Sequence, residues 1–138
     1  MDEVFLIARL LFVYLVIGSG VGHLMQTANM AAYAEMRGIP NAKLMVQISG
    51  VALVAGGVSV ALGIWGDIGA LGLAVLMVCL AVGMHAFWKE TDQMAKMTEM
   101  VSFNKDLALA GGALAIFVLL ALPGDTPYTI TDALIDWY

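Results

Sequence analysis

The residues best able to carry chemistry in this chain are two histidines, with a tryptophan and a lysine close to the second. His23 and His85 each stand at the end of a long apolar run, and Trp88 and Lys89 follow shortly after His85. An imidazole can bind a ligand or exchange a proton near neutral pH, and a lysine ammonium donates hydrogen bonds. Ionisable side chains at this depth in apolar segments are candidates for a ligand site.

Three interpretations of the histidines are open from the sequence. In the first, each is an interfacial polar residue bonded to a neighbouring backbone group or carboxylate. In the second, all four side chains, together with acids from the connection after the third helix, line a polar pocket for a quinone or lipid head group, or a proton path. In the third, His23 and His85 ligate the iron of haem b. The presence of only two histidines, both near one membrane surface, disfavours haem.

Arg9 is a further candidate, because it lies inside the first apolar run, fourteen residues before His23 and on nearly the same helix face. One interpretation is that its side chain extends to the membrane surface. The other is a buried charge paired with an aspartate of the C-terminal tail. The aspartates of that tail are Asp125, Asp132 and Asp136.

Other common site chemistries have no signature in the sequence. There is no CxxC, HExxH, glycine-rich phosphate loop or serine-nucleophile elbow, so we predict no catalytic residue and no metal site apart from the haem alternative. Cys79 is the single cysteine, which excludes an intrachain disulfide. The net charge of -5 provides no basic surface for nucleic acid.

The composition predicts the elements that must position these residues. The chain is 62% hydrophobic and only 12% charged, whereas soluble domains carry about a quarter charged residues. Helices satisfy their own backbone groups in lipid, so apolar runs of sufficient length are read as membrane helices. We predict an all-α fold, a single integral membrane four-helix bundle spanning residues 1–138. Its helices are predicted at about residues 4–25, 44–65, 68–88 and 107–122.

The first and third connections are predicted to contain short interfacial helices. In the first, Asn29 is the expected N-cap and Gly38 the expected C-terminal cap, and Asn41 is expected to cap the second membrane helix. In the third, Asn104 is the expected cap of the fourth membrane helix. The second connection, near residues 66–67, reads as a tight turn.

Small residues predict where the helices approach each other. Gly18 and Gly22 are four residues apart, a spacing that permits close packing between helices in lipid. The same spacing could form the interface of a homo-oligomer, and the sequence does not separate these alternatives.

The basic residues predict an orientation. Most of them lie on the side of the two structured connections: Arg37, Lys43, Lys89, Lys96 and Lys105. The positive-inside rule then places those connections in the cytoplasm. It places both termini, including the acidic tail at residues 123–138, outside.

Short motifs in a fixed order carry a resemblance to a known family. A glycine-rich end of the first helix precedes a Gly-x-Pro, a Gly-Gly pair with a following glycine, and a pattern between the last two helices. These are residues 20–24 (GVGHL), 38–40 (GIP), 56–57 with Gly63, 84–88 (MHAFW) and 103–112 (FNKDLALAGG).

Over residues 5–122 the chain resembles the DoxX family of small bacterial membrane proteins. The resemblance implies a multi-pass protein of the bacterial plasma (inner) membrane. Relatives are subunits of thiosulfate:quinone oxidoreductase or partners in oxidative-stress complexes. The implied function is a membrane subunit or accessory protein of a quinone-linked respiratory complex, with other membrane subunits as partners. Leu53 stands where many members have a glutamate, which favours an accessory role over autonomous catalysis.

Two alternatives to this function follow from the residues. The first is a haem-b electron carrier that uses the two histidines. The second is a small-molecule transporter, which is disfavoured because the predicted apolar helices contain no carboxylate deep inside.

Overall fold

The computed structural model describes residues 1–122 and 126–135. Within them are α1 (Asp2–Met25), α2 (Thr27–Met36), α3 (Ala42–Leu62), α4 (Gly66–Met84), a 3₁₀ turn (Phe87–Lys89) and α5 (Gln93–Ala121), with no strand in these ranges. Four of the helical segments are long and apolar enough to cross a membrane. The predicted all-α membrane bundle is therefore confirmed.

The order of packing leaves one side of the bundle loosely closed. α1 packs on α3, α3 on α4, and α4 on α5, while α2 lies against α3. The shared core includes Val16, Leu53, Val60 and Leu73, all nearly or completely buried. Contact between α1 and α5 is slight by comparison. This gap between the first and last helices leaves room for a cavity.

The first three membrane helices begin and end within four residues of their predicted bounds. The capping predictions are less accurate. α2 begins at Thr27, so Asn29 lies inside the helix and is not its cap. Asn41 does precede α3, but its side chain makes no capping hydrogen bond. Gly38 follows α2 with φ +80°, a left-handed conformation that suits glycine, as predicted.

The last membrane helix differs most from prediction. α5 is continuous over 29 residues. Its N-cap is Asp92, whose side chain accepts a hydrogen bond of 2.8 Å from the backbone N–H of Ala95. The predicted start at residue 107, the cap at Asn104 and a separate interfacial helix before it are wrong. Only the 3₁₀ turn Phe87–Lys89 lies between α4 and α5.

The continuity of α5 has a physical reason. No glycine or proline occurs between residues 93 and 110, so nothing interrupts the backbone hydrogen bonds there. Phe103 also packs edge-on against Phe87 and Trp88, with ring centroids 5.4 and 5.6 Å away. A helix of this length spans about 44 Å, more than the hydrocarbon core of about 30 Å. Its first turns therefore extend beyond the membrane core on the side of the two connections.

The close contact between α1 and α3 is made at Gly20. A Cβ atom placed on Gly20 would lie 2.8 Å from Leu53 Cβ and 2.9 Å from the carbonyl oxygen of Gly50. A Cβ placed on Gly18 or Gly22 would meet nothing within 4 Å. The predicted packing of Gly18 and Gly22 against another helix of the same chain is therefore wrong, because those residues lie on other faces of α1, and their use in a homo-oligomer interface stays a prediction.

This contact gives a first testable prediction. We expect Gly20→Ala to destabilise the protein by about 1–3 kcal/mol, since the added methyl group overpacks a backbone contact that cannot move easily. Gly18→Ala, the same substitution two residues away, should leave stability nearly unchanged. Unfolding of the protein in detergent, followed by circular dichroism, measures both variants. Equal losses in the two would contradict the assignment of the contact to Gly20.

Candidate functional site

A cavity of about 920 Å³ opens among the described residues. Residues of α1, α2, α3, α4 and α5 line it, and most of its wall is apolar. Most of its polar lining residues lie toward the side of the two connections: His23, Asn29, Tyr33, Ser49, His85, Lys105 and Asp106. Ser19 and Tyr14 also line it, about one turn and between two and three turns before His23 along α1. The cavity therefore has a polar end and a long apolar wall.

His23 is fixed by α3. Its Nδ1 lies 2.8 Å from Ser49 Oγ, and the Ser49 hydroxyl donates to the carbonyl oxygen of Val46 at 2.9 Å. Because the hydroxyl proton is used in that bond, Nδ1–H of His23 is the donor to Ser49. In the neutral imidazole, Nε2 is then the acceptor.

His85 has a carboxylate beside each ring nitrogen. Nδ1 lies 2.8 Å from Glu99 Oε2, and Nε2 lies 3.7 Å from Asp106 Oδ2. Lys105 Nζ is 3.5 Å from the other oxygen of Asp106. Because α5 is continuous, Glu99 and Asp106 lie two helical turns apart on one face of it, and both reach His85 at the end of α4.

Glu99 is itself held by α2. The Tyr33 hydroxyl donates to Glu99 Oε1, and Arg37 Nη2 lies 3.0 Å from the same oxygen. Arg37 also pairs with Glu90 and stacks over the Tyr33 ring, 4.8 Å from its centroid. We call the resulting set the acid–base cluster. Its members are Tyr33, Arg37, His85, Glu90, Glu99, Lys105 and Asp106.

The electrostatics of Tyr33 and Arg37 keep these two residues in one protonation state. Burial, and then the hydrogen bond to Glu99, raise the pKa of the Tyr33 hydroxyl, so it stays protonated and remains a donor. Burial alone would lower the pKa of Arg37, but its bonds to Tyr33 and Glu90 outweigh burial and raise it. The Glu99 carboxylate therefore always faces one hydroxyl donor and one cation.

The structure does not bring all four predicted pocket residues together. His23 and His85 line the cavity, whereas Trp88 and Lys89 do not. Trp88 packs edge-on against Phe87, with ring centroids 5.2 Å apart, and Lys89 is exposed. Ligand binding by the two histidines stays a prediction, now with Tyr33, Lys105 and Asp106 beside them.

Arg9 is completely buried, so its side chain does not extend to the surface. Its Nη2 donates to the carbonyl oxygens of Ala61 and Tyr128, both at 2.8 Å. Two of the tail aspartates proposed as its partner, Asp125 and Asp136, lie outside the described residues. Asp132 is exposed, and no ion pair in the described ranges joins it to Arg9.

Residues 126–135 cover the end of the bundle opposite the polar end of the cavity. The backbone N–H groups of Leu134 and Ile135 donate to Asp67 Oδ2 at 2.9 and 2.8 Å. The sequence predicted a tight connecting turn near residues 66–67. In the structure Asp67 instead belongs to the first turn of the helix α4 and is completely buried. The tight turn is at Gly63, where the N–H of Thr131 donates to the Gly63 carbonyl.

A protein-family model described as DoxX matches residues 4–86, more than half of the chain. The chain belongs to the DoxX family. Neither the comparison with curated proteins nor the comparison with solved structures gives a match. In this DoxX protein the matched range contains both histidines and Arg9, whereas the motif at residues 103–112 lies beyond it and stays a resemblance.

Leu53 stands at the position where the family resemblance implies a glutamate in many members. In this DoxX protein it is a core residue. It is fully buried against Gly20 and does not line the cavity. The carboxylates that do reach the polar end, Glu99 and Asp106, come from α5.

Haem ligation receives little support from the surroundings of His85. An axial histidine of haem offers one ring nitrogen to iron across an open face of the porphyrin. Here Nδ1 of His85 is bonded to Glu99, and the Asp106 carboxylate lies beside Nε2, where the porphyrin would have to approach. The cavity would have to rearrange to place iron between the two histidines.

The sequence predicted acids from the third connection near the histidines, but it did not identify Glu99 and Asp106 because the prediction divided α5. Read as one helix, the chain from residue 93 to 121 places Glu99 and Asp106 seven residues apart, on one face. That spacing was the available signal. The structure does bury two carboxylates just outside the predicted apolar runs, Asp67 in the first turn of α4 and Asp106 in α5. Transport therefore stays an alternative function.

Proposed function

We propose that this DoxX protein binds the head group of a quinone at the polar end of its cavity and serves as a membrane subunit or accessory partner of a quinone-linked redox complex. The observation that carries the proposal is the division of the cavity into a polar end and an apolar wall. A quinone has the same division, with two carbonyl oxygens on its ring and an apolar isoprenoid tail.

The size and lining of the cavity support this ligand class. Its volume of about 920 Å³ falls within the range of about 300–1,000 Å³ typical of small-molecule sites. The quinone oxygens are acceptors, and His85 and Lys105 are donors at the polar end. The apolar wall includes Leu15, Ile48 and Leu76, which suit a hydrocarbon tail.

Access from the bilayer also supports a lipid-soluble ligand. Several residues of the apolar wall, among them Tyr14, Met45 and Ile48, are exposed on the lipid-facing surface of the bundle. A quinone that moves within the membrane could enter between α1 and α5, where the helices make little contact.

The proposed setting follows from the family resemblance and the charge distribution. We retain the bacterial inner membrane as the location, with both connections in the cytoplasm because most basic residues lie there. The start of α5 extends past the membrane core and exposes Met94 and Met97, which could contact a partner subunit.

Binding of a short-tailed ubiquinone analogue to the purified protein in lipid nanodiscs tests the proposal. We expect Lys105→Ala to raise the dissociation constant about tenfold, through loss of a charged donor at the polar end. Lys96→Ala, on the same helix, and Lys89→Ala should leave it unchanged, because neither side chain lines the cavity. Equal affinity in all three variants would contradict the site.

Extraction in mild detergent tests the second half of the proposal. An oxidoreductase should elute together with the protein. Elution of the protein alone, with quinone binding intact, would contradict the redox complex while leaving the binding site standing.

A further inference from the structure

His85 lies at the polar end of the cavity, between two carboxylates. Both of its ring nitrogens face carboxylates, Glu99 at 2.8 Å from Nδ1 and Asp106 at 3.7 Å from Nε2. A neutral imidazole has one N–H and an imidazolium has two. Carboxylates on both sides let the ring hold a second proton and release it without losing its orientation.

The side chains that hold His85 lie on two sides of its imidazole ring. Asp106 and Lys105 belong to the cavity wall, whereas Glu99, Arg37 and Glu90 lie behind His85 and do not line the cavity. Glu99 is fixed by Tyr33 and Arg37, so the carboxylate that holds Nδ1 cannot turn away. A carboxylate behind a histidine fixes the tautomer and stabilises the imidazolium, as in other acid–base sites.

We propose that His85 is the acid–base residue of this cavity, which exchanges a proton between Nε2 and an oxygen of the bound quinone, with Glu99 as its positioning residue. The inference rests on the proposed quinone site and assigns the group that moves protons there. Arg37 and Tyr33 act one step further back, through Glu99.

The proton and electron balance is that of quinone reduction. The quinone takes two electrons from a reduced flavin or iron–sulfur centre of the partner oxidoreductase, which is oxidised, and two protons, and becomes the quinol. Each proton passes from Nε2–H of the His85 imidazolium to a quinone oxygen, and the ring remains neutral with Nδ1–H held by Glu99. After each transfer the Asp106 carboxylate takes up a proton from the solvent on the side of the two connections and passes it to Nε2, so both protons of the quinol come from the solvent. At 3.7 Å that step requires a small rotation of Asp106, because hydrogen bonds are shorter.

A kinetic experiment tests the role of His85. The protein in nanodiscs is saturated with the short-tailed quinone. Two equivalents of a viologen radical supply one electron each, while quinol formation is followed by absorbance. We expect His85→Ala to slow quinol formation about 100-fold, the lower range for loss of a general acid. Added imidazole should restore much of the rate, because it can occupy the vacated space and donate the proton. Glu35→Gln, an exposed residue of α2, is the control and should match the wild type.

A spectroscopic experiment tests the role of Glu99. The chain has two histidines, so ¹⁵N-histidine labelling gives one set of ring resonances for each. In Glu99→Gln the ring resonances of His85 should report a changed tautomer while those of His23 stay in place. The quinol rate should fall, and Glu99→Asp should restore both readings in part.

The outcomes separate this inference from the proposed function. Wild-type rates in His85→Ala at saturating quinone would overturn the acid–base role and leave the binding site standing. A wild-type protein that binds no quinone would overturn the proposed function and this inference with it. If His85→Ala does not elute as a single species, His85→Gln, which fills the space, takes its place. A wild-type rate in His85→Gln would overturn the role equally.

Discussion

Replacing Asp67 with alanine should release residues 126–135 from the end of the bundle. The carboxylate accepts the backbone N–H groups of Leu134 and Ile135, and it is completely buried. Hydrogen bonds to a charged group contribute about 1.5–3 kcal/mol each, so we expect a loss of about 3 kcal/mol in the docking of this segment. That corresponds to a rise of more than 100-fold in the released fraction.

Limited proteolysis of the C-terminal segment in detergent measures the release. Asp132→Ala is the matched control, because Asp132 belongs to the same segment, is exposed and carries the same charge. Cleavage of Asp67→Ala at the wild-type rate would contradict the anchoring role. Equally fast cleavage of the Asp132 variant would show that the segment responds to charge alone.

The second large effect is expected at Glu99. Glu99→Ala removes the shared partner of Tyr33, Arg37 and His85 and leaves Arg37 without one of its two carboxylates. Breaking a buried ion pair costs about 3–5 kcal/mol, and these side chains keep some exposure, so we expect a destabilisation of about 2–3 kcal/mol. The loss should loosen the contact of α2 with α5.

Denaturant unfolding and hydrogen exchange of α2 measure this effect. Glu35→Ala is the control, since Glu35 is an exposed glutamate of α2 outside the acid–base cluster. We expect stability to denaturant to fall in Glu99→Ala alone, together with faster amide hydrogen exchange in residues 27–36. Unchanged exchange in α2 would contradict the role of Glu99 as its link to α5.

The membrane helices could be predicted because they depend on local composition. Each of the first three apolar runs is long enough by itself to identify a helix, and the left-handed Gly38 needed only its place before Pro40. Cap residues were less informative. Asparagine suits an N-cap, which is why caps were predicted at Asn29, Asn41 and Asn104. Asparagine also occurs inside helices, and the backbone hydrogen bonds of α5 continue past Asn104.

The acid–base cluster could not be predicted because its contacts are distant in sequence. Tyr33 and Glu99 are 66 residues apart, and Arg37 and Glu90 are 53 apart. Periodicity reports which face of a helix is apolar, and it says nothing about which polar groups meet across helices. The two histidines could be placed at one level of the membrane only because the helices bearing them run in the same direction.

The uninterrupted course of α5 also has a mechanical consequence. From Gln93 to Asp106 the helix covers about 20 Å without a hinge. A subunit that pushes on the protruding first turns would tilt this segment as a rod, and Glu99 and Asp106 would shift together against His85. The distances from the imidazole of His85 to these two carboxylates would then differ between the protein alone and the protein with a subunit bound to the first turns of α5.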